Sequence, residues 1–305
     1  MKIKKILKAV ILLILTTVSV SNADGSGGSY GAVFKNRGTA GYFSTGKSIA
    51  GSSVDYIFYN PAGMANAEKS EISMTGAKLF DEIDGLKQIQ AGIIYKPKKI
   101  SDYSFGLDYA GFNIDGIRES TEAQDLLSGN GLTGNTYDAS FKSIAIAGAK
   151  KINKNFNAGV SLIYYDQNIY SRSYKNTVLN AGCQYEKSDL SLNLTINNLY
   201  STEASPLREK EKMPLIIEFG IVYEIFDNLK IGAVFDKEEN RNIEMRAGVN
   251  YKFFESLRFN AGYIKESKQP AAGFNLLIKN VKLDYAFLKH KELDITHKLT
   301  VSVKL

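Results

Sequence analysis

"NIEMRAGVNYKF", residues 242–253, changes character at every step. Ile243, Met245, Ala247, Val249, Tyr251 and Phe253 share one parity, while Glu244, Arg246, Gly248, Asn250 and Lys252 share the other. A period of two belongs to a β-strand with one apolar and one polar face. "DYSFGLDYA" repeats the pattern with Tyr103, Phe105, Leu107 and Tyr109 against Ser104, Gly106 and Asp108. "LSLNLTIN" sets Leu190, Leu192, Leu194 and Ile196 against Ser191, Asn193 and Thr195.

Working outward, fourteen such segments cover the chain after about residue 70: 70–78, 87–96, 102–112, 141–150, 155–165, 176–185, 188–198, 214–224, 228–235, 242–252, 256–264, 270–278, 280–288 and 295–305. The fourth has the weakest pattern, being small and apolar on both faces. Every second connection is tight, as in "PKK" (97–99), "KINK" (151–154), the turn near Lys187, "FDN" (226–228), "FFES" (253–256) and "NV" (280–281). The others are longer and polar: 79–86, 113–140, 166–175, 199–213, 236–241, 265–269 and 289–294. Short turns at one end and longer loops at the other predict an all-β, closed antiparallel transmembrane barrel of about fourteen strands, the architecture of outer-membrane proteins. An even count returns both termini to the periplasmic side.

A soluble β-sandwich also alternates, and three features weigh against it. Segments of about ten residues suit a tilted membrane strand of roughly 9–11 residues, whereas ordinary strands cluster near 5–6. Tyr95, Tyr109, Tyr164, Tyr223, Tyr251, Phe253, Tyr263 and Phe287 gather near segment ends, where an aromatic girdle meets the interfaces. The closing "ITHKLTVSVKL" puts Leu299, Val301, Val303 and Leu305 outward and Lys298, Thr300, Ser302 and Lys304 inward.

The first residues, Met-Lys-Ile-Lys-Lys, lead into the apolar run 9–20 and then "SNADG", with Ser21 and Ala23 at the spacing of a cleavage site. Residues 1–23 therefore read as a signal peptide cut after Ala23, since the run is shorter than the ~20 residues of a spanning helix. No Cys follows the cut to carry a lipid. Loss of Lys2, Lys4, Lys5 and Lys8 reduces 38 basic residues to 34, against 32 acidic ones, so no basic surface for nucleic acid remains. Cys183 is alone, which excludes an intramolecular disulfide, and its parity points it outward.

"GYFSTGKS", residues 41–48, matches the phosphate-loop pattern at Gly41, Gly46, Lys47 and Ser48. That chemistry needs a buried strand before the loop and a helix after it. Here "VFKNRGTA" precedes, and "IAGSSVDYIFYNPAG" follows, interrupted by Gly51 and Pro61. The match reads as chance, with no nucleotide expected.

Small pairs recur in mid-strand: "QAGI", "NAGV", "NAGC", "RAGV", "NAGY" and "AAGF". Parity places Gly92, Gly159, Gly182, Gly248, Gly262 and Gly273 on the inner face, with Gly106, Gly220 and Gly232. Barrel curvature and a crowded interior are the plainer reading; an interior that holds a plug or ligand against the glycines is the functional one.

Residues 24–69 do not alternate, and a non-strand segment ahead of a wide barrel (70–305) is well placed to be a hatch or plug. Within it stands "YNPAGMA", residues 59–65. That motif, the Gly/Ala-rich stretch from Arg37 and the closing "LDYAFLKHKELDITHKLTVSVKL" resemble the PorV/PorQ family, part of the FadL-like (long-chain fatty acid transporter) outer-membrane barrels. Asn60, Pro61 and Ala62, followed by Gly63, match the hatch motif of that superfamily. The resemblance implies a hatch inside the barrel and, for its transporters, hydrophobic ligands leaving through a gap in the wall. It also implies an alternative, since PorV is similar in fold but serves type IX protein secretion.

Little points to catalysis. His290 and His297 are the only histidines, neither has a nucleophile at a useful spacing, and no metal-binding spacing or carboxylate pair stands out. No enzyme activity, cofactor or metal is expected. The inward charges Asp108, Glu218, Lys230, Glu244, Arg246, Lys252, Arg258, Lys282, Asp284 and Lys298 would line a wet lumen or pair with the hatch. Passage or binding of small hydrophobic molecules such as fatty acids is the leading expectation, with outer-membrane lipids as surroundings. Docking of secreted-protein partners on loops 113–140 and 199–213 is the alternative.

Overall fold

A computed structural model describes residues 35–80, 85–120, 132–204, 212–239, 241–290 and 294–305. The expected signal peptide, 1–23, lies outside them. The strands are β1 (Glu71–Lys78), β2 (Leu86–Tyr95), β3 (Tyr103–Ser120), β4 (Leu132–Asn153), β5 (Phe156–Ile169), β6 (Arg172–Lys187) and β7 (Leu190–Ser201), then β8 (Ile216–Phe226), β9 (Leu229–Glu238), β10 (Glu244–Phe254), β11 (Leu257–Ile264), β12 (Gln269–Ile278), β13 (Val281–Lys289) and β14 (Ile295–Lys304). Each pairs antiparallel with its sequence neighbours. The ends meet through a register running from Glu71 opposite Lys304 to Lys78 opposite His297, which closes the barrel.

The burial pattern is inverted relative to a soluble protein. Outward Met74, Ile89 and Ile146 are 65%, 59% and 55% exposed, while inward Asp108, Gln184, Asp284, Lys298 and Thr300 are buried. A β-sandwich hides its apolar face, whereas a membrane barrel offers that face to lipid. The alternation around Asn250 therefore specifies the barrel.

Two expected loops are corrected. The span 113–140 is mostly strand, because β3 runs to Ser120 and β4 starts at Leu132. The span 166–175 shrinks to a turn at Tyr170, which takes φ 55° between β5 and β6. The fourth segment, weakest in sequence, is the longest strand, with 22 residues. Alternation fades above the apolar band because the apolar residues there, Ile114 and Ile117, are out of phase across a register shift, yet backbone pairing continues.

The apolar core forms between the inner wall and residues 35–67. Helix α1 (Ala40–Ser44) contributes Ala40, Tyr42 and Phe43, packed with Ile264, Ala271, Ala286 and Leu288. Helix α2 (Tyr56–Tyr59) and the 3-10 helix Pro61–Asn66 contribute Ile57, Phe58, Met64 and Ala65, packed with Ile94, Ala145, Ile163 and Val178. Among the described residues no helix is long and apolar enough to cross a membrane, which is silent about strands.

Candidate functional site

The N-terminal segment is tied to the wall by polar side chains that alternation turns inward. Asn60 caps the 3-10 helix, accepting from the Ala62 amide at 3.2 Å, while Pro61 occupies the first helical position. The Asn60 side-chain amide donates to the Cys183 carbonyl at 3.2 Å and to Asn193 Oδ1 at 3.1 Å. Ala62 is fully buried. At Gly63 any Cβ would run into the Tyr56 ring, whose Cγ would lie at 2.6 Å. Each residue of the motif thus has a steric or hydrogen-bonding reason.

The inward glycines lie where the segment passes. A Cβ at Gly159 would fall 2.5 Å from Pro61 C, at Gly232 2.6 Å from Ile49 Cγ1, and at Gly106 2.8 Å from Ile57 Cγ1. At Gly273 it would meet Ser44 Cβ at 2.7 Å as well as the neighbouring strand. Added methyls at Gly92, Gly182, Gly248 and Gly262 would overlap Val54, Asn60, Thr45 and Gly46 respectively. Gly220 differs, meeting only Asn193 and Val234 at an ordinary 3.5 Å. Close approach of the segment, by backbone atoms at Gly159, Gly232, Gly248 and Gly262 and by side chains at Gly92, Gly106, Gly182 and Gly273, accounts for eight positions that curvature alone leaves unexplained.

Residues 41–48 do not form a strand–loop–helix. Helix α1 overlaps the first half of the motif, and Gly46 and Lys47 both adopt φ 61°. The amides of Gly46, Lys47 and Ser48 are spent on the carbonyls of Phe43, Tyr42 and Thr45. The Lys47 ammonium donates to the Lys35 carbonyl at 2.9 Å and stands over the Phe43 ring. No ring of outward-pointing amides is left to hold phosphate. Burial, with Arg246 and Lys35 adding repulsion, lowers Lys47 to about 8.

Asp55 is the residue the sequence reading passed over. Its carboxylate accepts from the Thr39 amide (2.7 Å), the Thr39 hydroxyl (2.8 Å), and the amides of Gly51 and Ser52 (both 2.9 Å). These bonds join three turns into one unit. Burial pushes the carboxyl above its ordinary range, opposed by the hydrogen bonds from Thr39 and Ser52 and by the charge of Lys282. The capping-box spacing from Ser52 to Asp55 was the available sequence signal.

Long-range contacts complete the docking. Lys298 donates to the Asn36 carbonyl at 2.5 Å and sits 3.4 Å from the Phe43 ring centroid. The Gly38 amide donates to Gln90, and the Ala40 amide to Thr300, both at 2.8 Å. Lys282 bridges Asp284 at 2.9 Å and the Gly51 carbonyl. Arg37 stacks 3.9 Å over Phe58.

Two cavities of about 470 Å³ each lie on opposite sides of the segment. The one at the tight-turn end has the charged side chains of Glu71, Glu186, Lys230, Arg258, Lys282 and Lys304 in its wall. The one at the long-connection end joins an apolar wall (Phe43, Phe58, Leu79, Phe80, Met213, Leu288) to an ionic one. There Arg246 binds Glu218 at 2.6 Å and Asp236 at 2.8 Å, with Glu244 at 3.6 Å. Of the other inward charges, Lys230 pairs with Glu224 and Lys252 with Glu255 nearer the turn end. His297 lies on the outer wall, bonded through Nδ1 to the Tyr285 hydroxyl at 2.7 Å, and His290 packs edge-on to Phe80. Among the described residues no three His, Cys, Asp or Glu side chains cluster as metal ligands.

Neither a protein-family model nor a curated protein matches the sequence. Solved structures do match in fold. A monoaromatic hydrocarbon channel, the TodX deltaS2S3 mutant, superposes with a TM-score of 0.62 at 12% identity, over 89% of this chain and 100% of that one. The toluene transporter TodX of Pseudomonas putida superposes with a TM-score of 0.59 at 11% identity, over 87% and 96%. At such identities the likeness concerns the fold.

Proposed function

We propose that this protein is an outer-membrane channel of the PorV/FadL-like type that binds and passes small hydrophobic molecules, with the segment within 24–69 as its hatch. The observation that carries this reading is the pair of cavities separated by residues 35–67, one of them with an apolar wall. A ligand pocket typically has a volume of about 300–1,000 Å³ with mostly apolar lining and a few placed polar groups. The likeness to barrels described as hydrocarbon channels supports the same reading. In this reading the signal peptide directs export, both termini face the periplasm, and the apolar cavity opens outward. The segment's small residues and its buried hydrogen bonds hold the lumen shut against ions.

The test is binding and uptake by the purified, refolded protein in vesicles, using a fluorescent fatty acid and toluene as probes. Saturable binding with passage into the vesicle is expected. Neither binding nor uptake of either probe overturns transport. The second reading, a docking protein for secreted partners, is favoured by one feature: the β3–β4 hairpin, whose strands of 18 and 22 residues extend past their neighbours.

A further inference from the structure

The polar side of the cavity at the long-connection end carries a row of acids. Glu218 on β8 stands directly opposite Asp236 on β9, and Asp236 opposite Glu244 on β10, so three carboxyl groups sit side by side across three strands. All three line the cavity. Side chains at such positions have Cβ atoms about 4.5–5.5 Å apart, and like charges so placed repel. On β7 the row continues into Thr195, which brings no cation. Arg246 serves the row, bonding Glu218 and Asp236 through one guanidinium nitrogen, Nη2. The other lysines and arginine of this wall are engaged elsewhere: Lys35 with Glu238, Lys47 with the Lys35 carbonyl, and Arg37 over the Phe58 ring.

One donor beside the row is left over. Arg246 Nε is buried and makes no hydrogen bond among the described residues. Glu244 Oε1 stands 3.6 Å from it, too far for a hydrogen bond. Glu244 is also the most open side chain of the row, 36% exposed against 13% for Glu218 and 15% for Asp236. An oxygen that enters beside Glu244 comes within reach of both groups. It must accept from Nε and donate to a carboxylate, which can only accept. A hydroxyl does both. A carboxylate has no proton to give and adds another negative charge to the row, while a methyl group satisfies neither partner.

We infer that this cavity selects uncharged apolar molecules that carry a hydroxyl, such as alkylphenols and long-chain alcohols, over carboxylates of the same size. Glu244 and Arg246 Nε are the pair that reads the hydroxyl. The apolar body lies against Phe43, Phe58, Leu79, Phe80 and Leu288 on the facing wall. The selectivity rests on the reading of this cavity as a ligand site and names the class of ligand that it prefers.

The test is titration calorimetry at pH 8 on the mature protein in detergent micelles, with 4-butylphenol, 4-butylbenzoate and 4-butyltoluene as ligands of one shape. The phenol is expected to bind about tenfold or more tighter than either of the others, the ratio that a hydrogen bond to a charged group supplies. Glu244→Gln keeps the shape but removes a charge, so the phenol should lose affinity and the benzoate gain it, each several-fold, while 4-butyltoluene stays unchanged. That unchanged affinity and an intact heat-modifiable gel shift verify folding. Partition into the micelle is the same for both proteins and cannot narrow the ratio. Lys154→Gln, on an exposed tight turn, should behave as the wild type. A benzoate that binds as tightly as the phenol overturns the selectivity, and so does an unaltered ratio in Glu244→Gln; in either case binding of 4-butyltoluene leaves the cavity standing as a ligand site. Binding of none of the three overturns both.

Discussion

The side-chain amide of Asn60 donates across the barrel interior to Asn193 on β7 at 3.1 Å, while its oxygen caps the turn that begins at Pro61. One residue thus starts a helix and fastens it to the wall. Asn60→Ala removes both, at a cost of about 1–2 kcal/mol. Hydrogen-exchange protection of 61–66 should fall while the heat-modifiable gel shift of the barrel stays intact. Asn60→Asp keeps the cap but offers Asn193 and the Cys183 carbonyl no donor, so its loss should be intermediate or larger. Unchanged protection in Asn60→Ala would refute the linkage.

Gly159 and Gly220 provide a matched pair. Both are inward strand glycines, but only Gly159 lies under the segment, with Pro61 C at 2.5 Å from an added Cβ. Gly159→Val should push the 3-10 helix from its seat and raise ion conductance in planar bilayers. Gly220→Ala should leave conductance at the wild-type level and add a few tenths of a kcal/mol of stability by restricting the unfolded chain. Equal conductance in the two variants would mean that the segment does not close the lumen.

How much of this was legible in the sequence follows from the range of each interaction. The fourteen strands were, because a period of two is a local signal repeated at every residue. The extents of β3 and β4 were not, because Ile114 and Ile117 stand three residues apart among Asn113, Asp115 and Glu119, and a register shift between them breaks the period of two. Parity placed the glycines on the inner face, but only the path of another segment explains why eight of them are glycine. Phe43 and Lys298 form a cation–aromatic contact between residues far apart in the chain, which no spacing rule anticipates. Asp55 left a short-range trace in its capping box, but its bonds to Thr39 depend on a turn between them.

Asp55 should be intolerant even of its amide. Four donors converge on its carboxylate, and in Asp55→Asn one oxygen becomes an NH₂ group that faces donors with nothing to accept. The expected cost is roughly 2–3 kcal/mol, from unpaired buried polar groups. Limited proteolysis should then cut within 35–67 at protease concentrations that leave the wild type whole. Equal resistance would show that apolar packing alone holds the segment.

Lys47 gives the fold a dependence on alkaline pH. Its folded value is about 8, against an ordinary 10.5, so between these limits the unfolded chain holds a proton that the folded chain has released. Stability therefore rises with pH across that window, by up to about 1.4 kcal/mol per unit, and Lys47 adds no slope below it. Urea unfolding of wild type and Lys47→Met at pH 7, 9 and 10 isolates this contribution. The difference between them should shift in favour of the wild type as pH rises; a constant difference would refute the assignment.

Arg246 separates two views of a buried ion pair. It is 5% exposed and bonded to both Glu218 and Asp236. Arg246→Met leaves two carboxylates facing each other without a cation, and breaking such a pair costs about 3–5 kcal/mol. Replacing the three tightly bonded groups, as Arg246→Met with Glu218→Gln and Asp236→Asn, leaves only the more exposed Glu244 charged and should recover most of that loss. Urea unfolding in detergent micelles measures both. Recovery would mean that the charges are not required for stability, which leaves them available to the polar end of a ligand in the adjoining cavity. If the triple variant is as unstable as the single one, the cluster's value lies in its hydrogen-bond geometry, and the cavity's polar wall is structural.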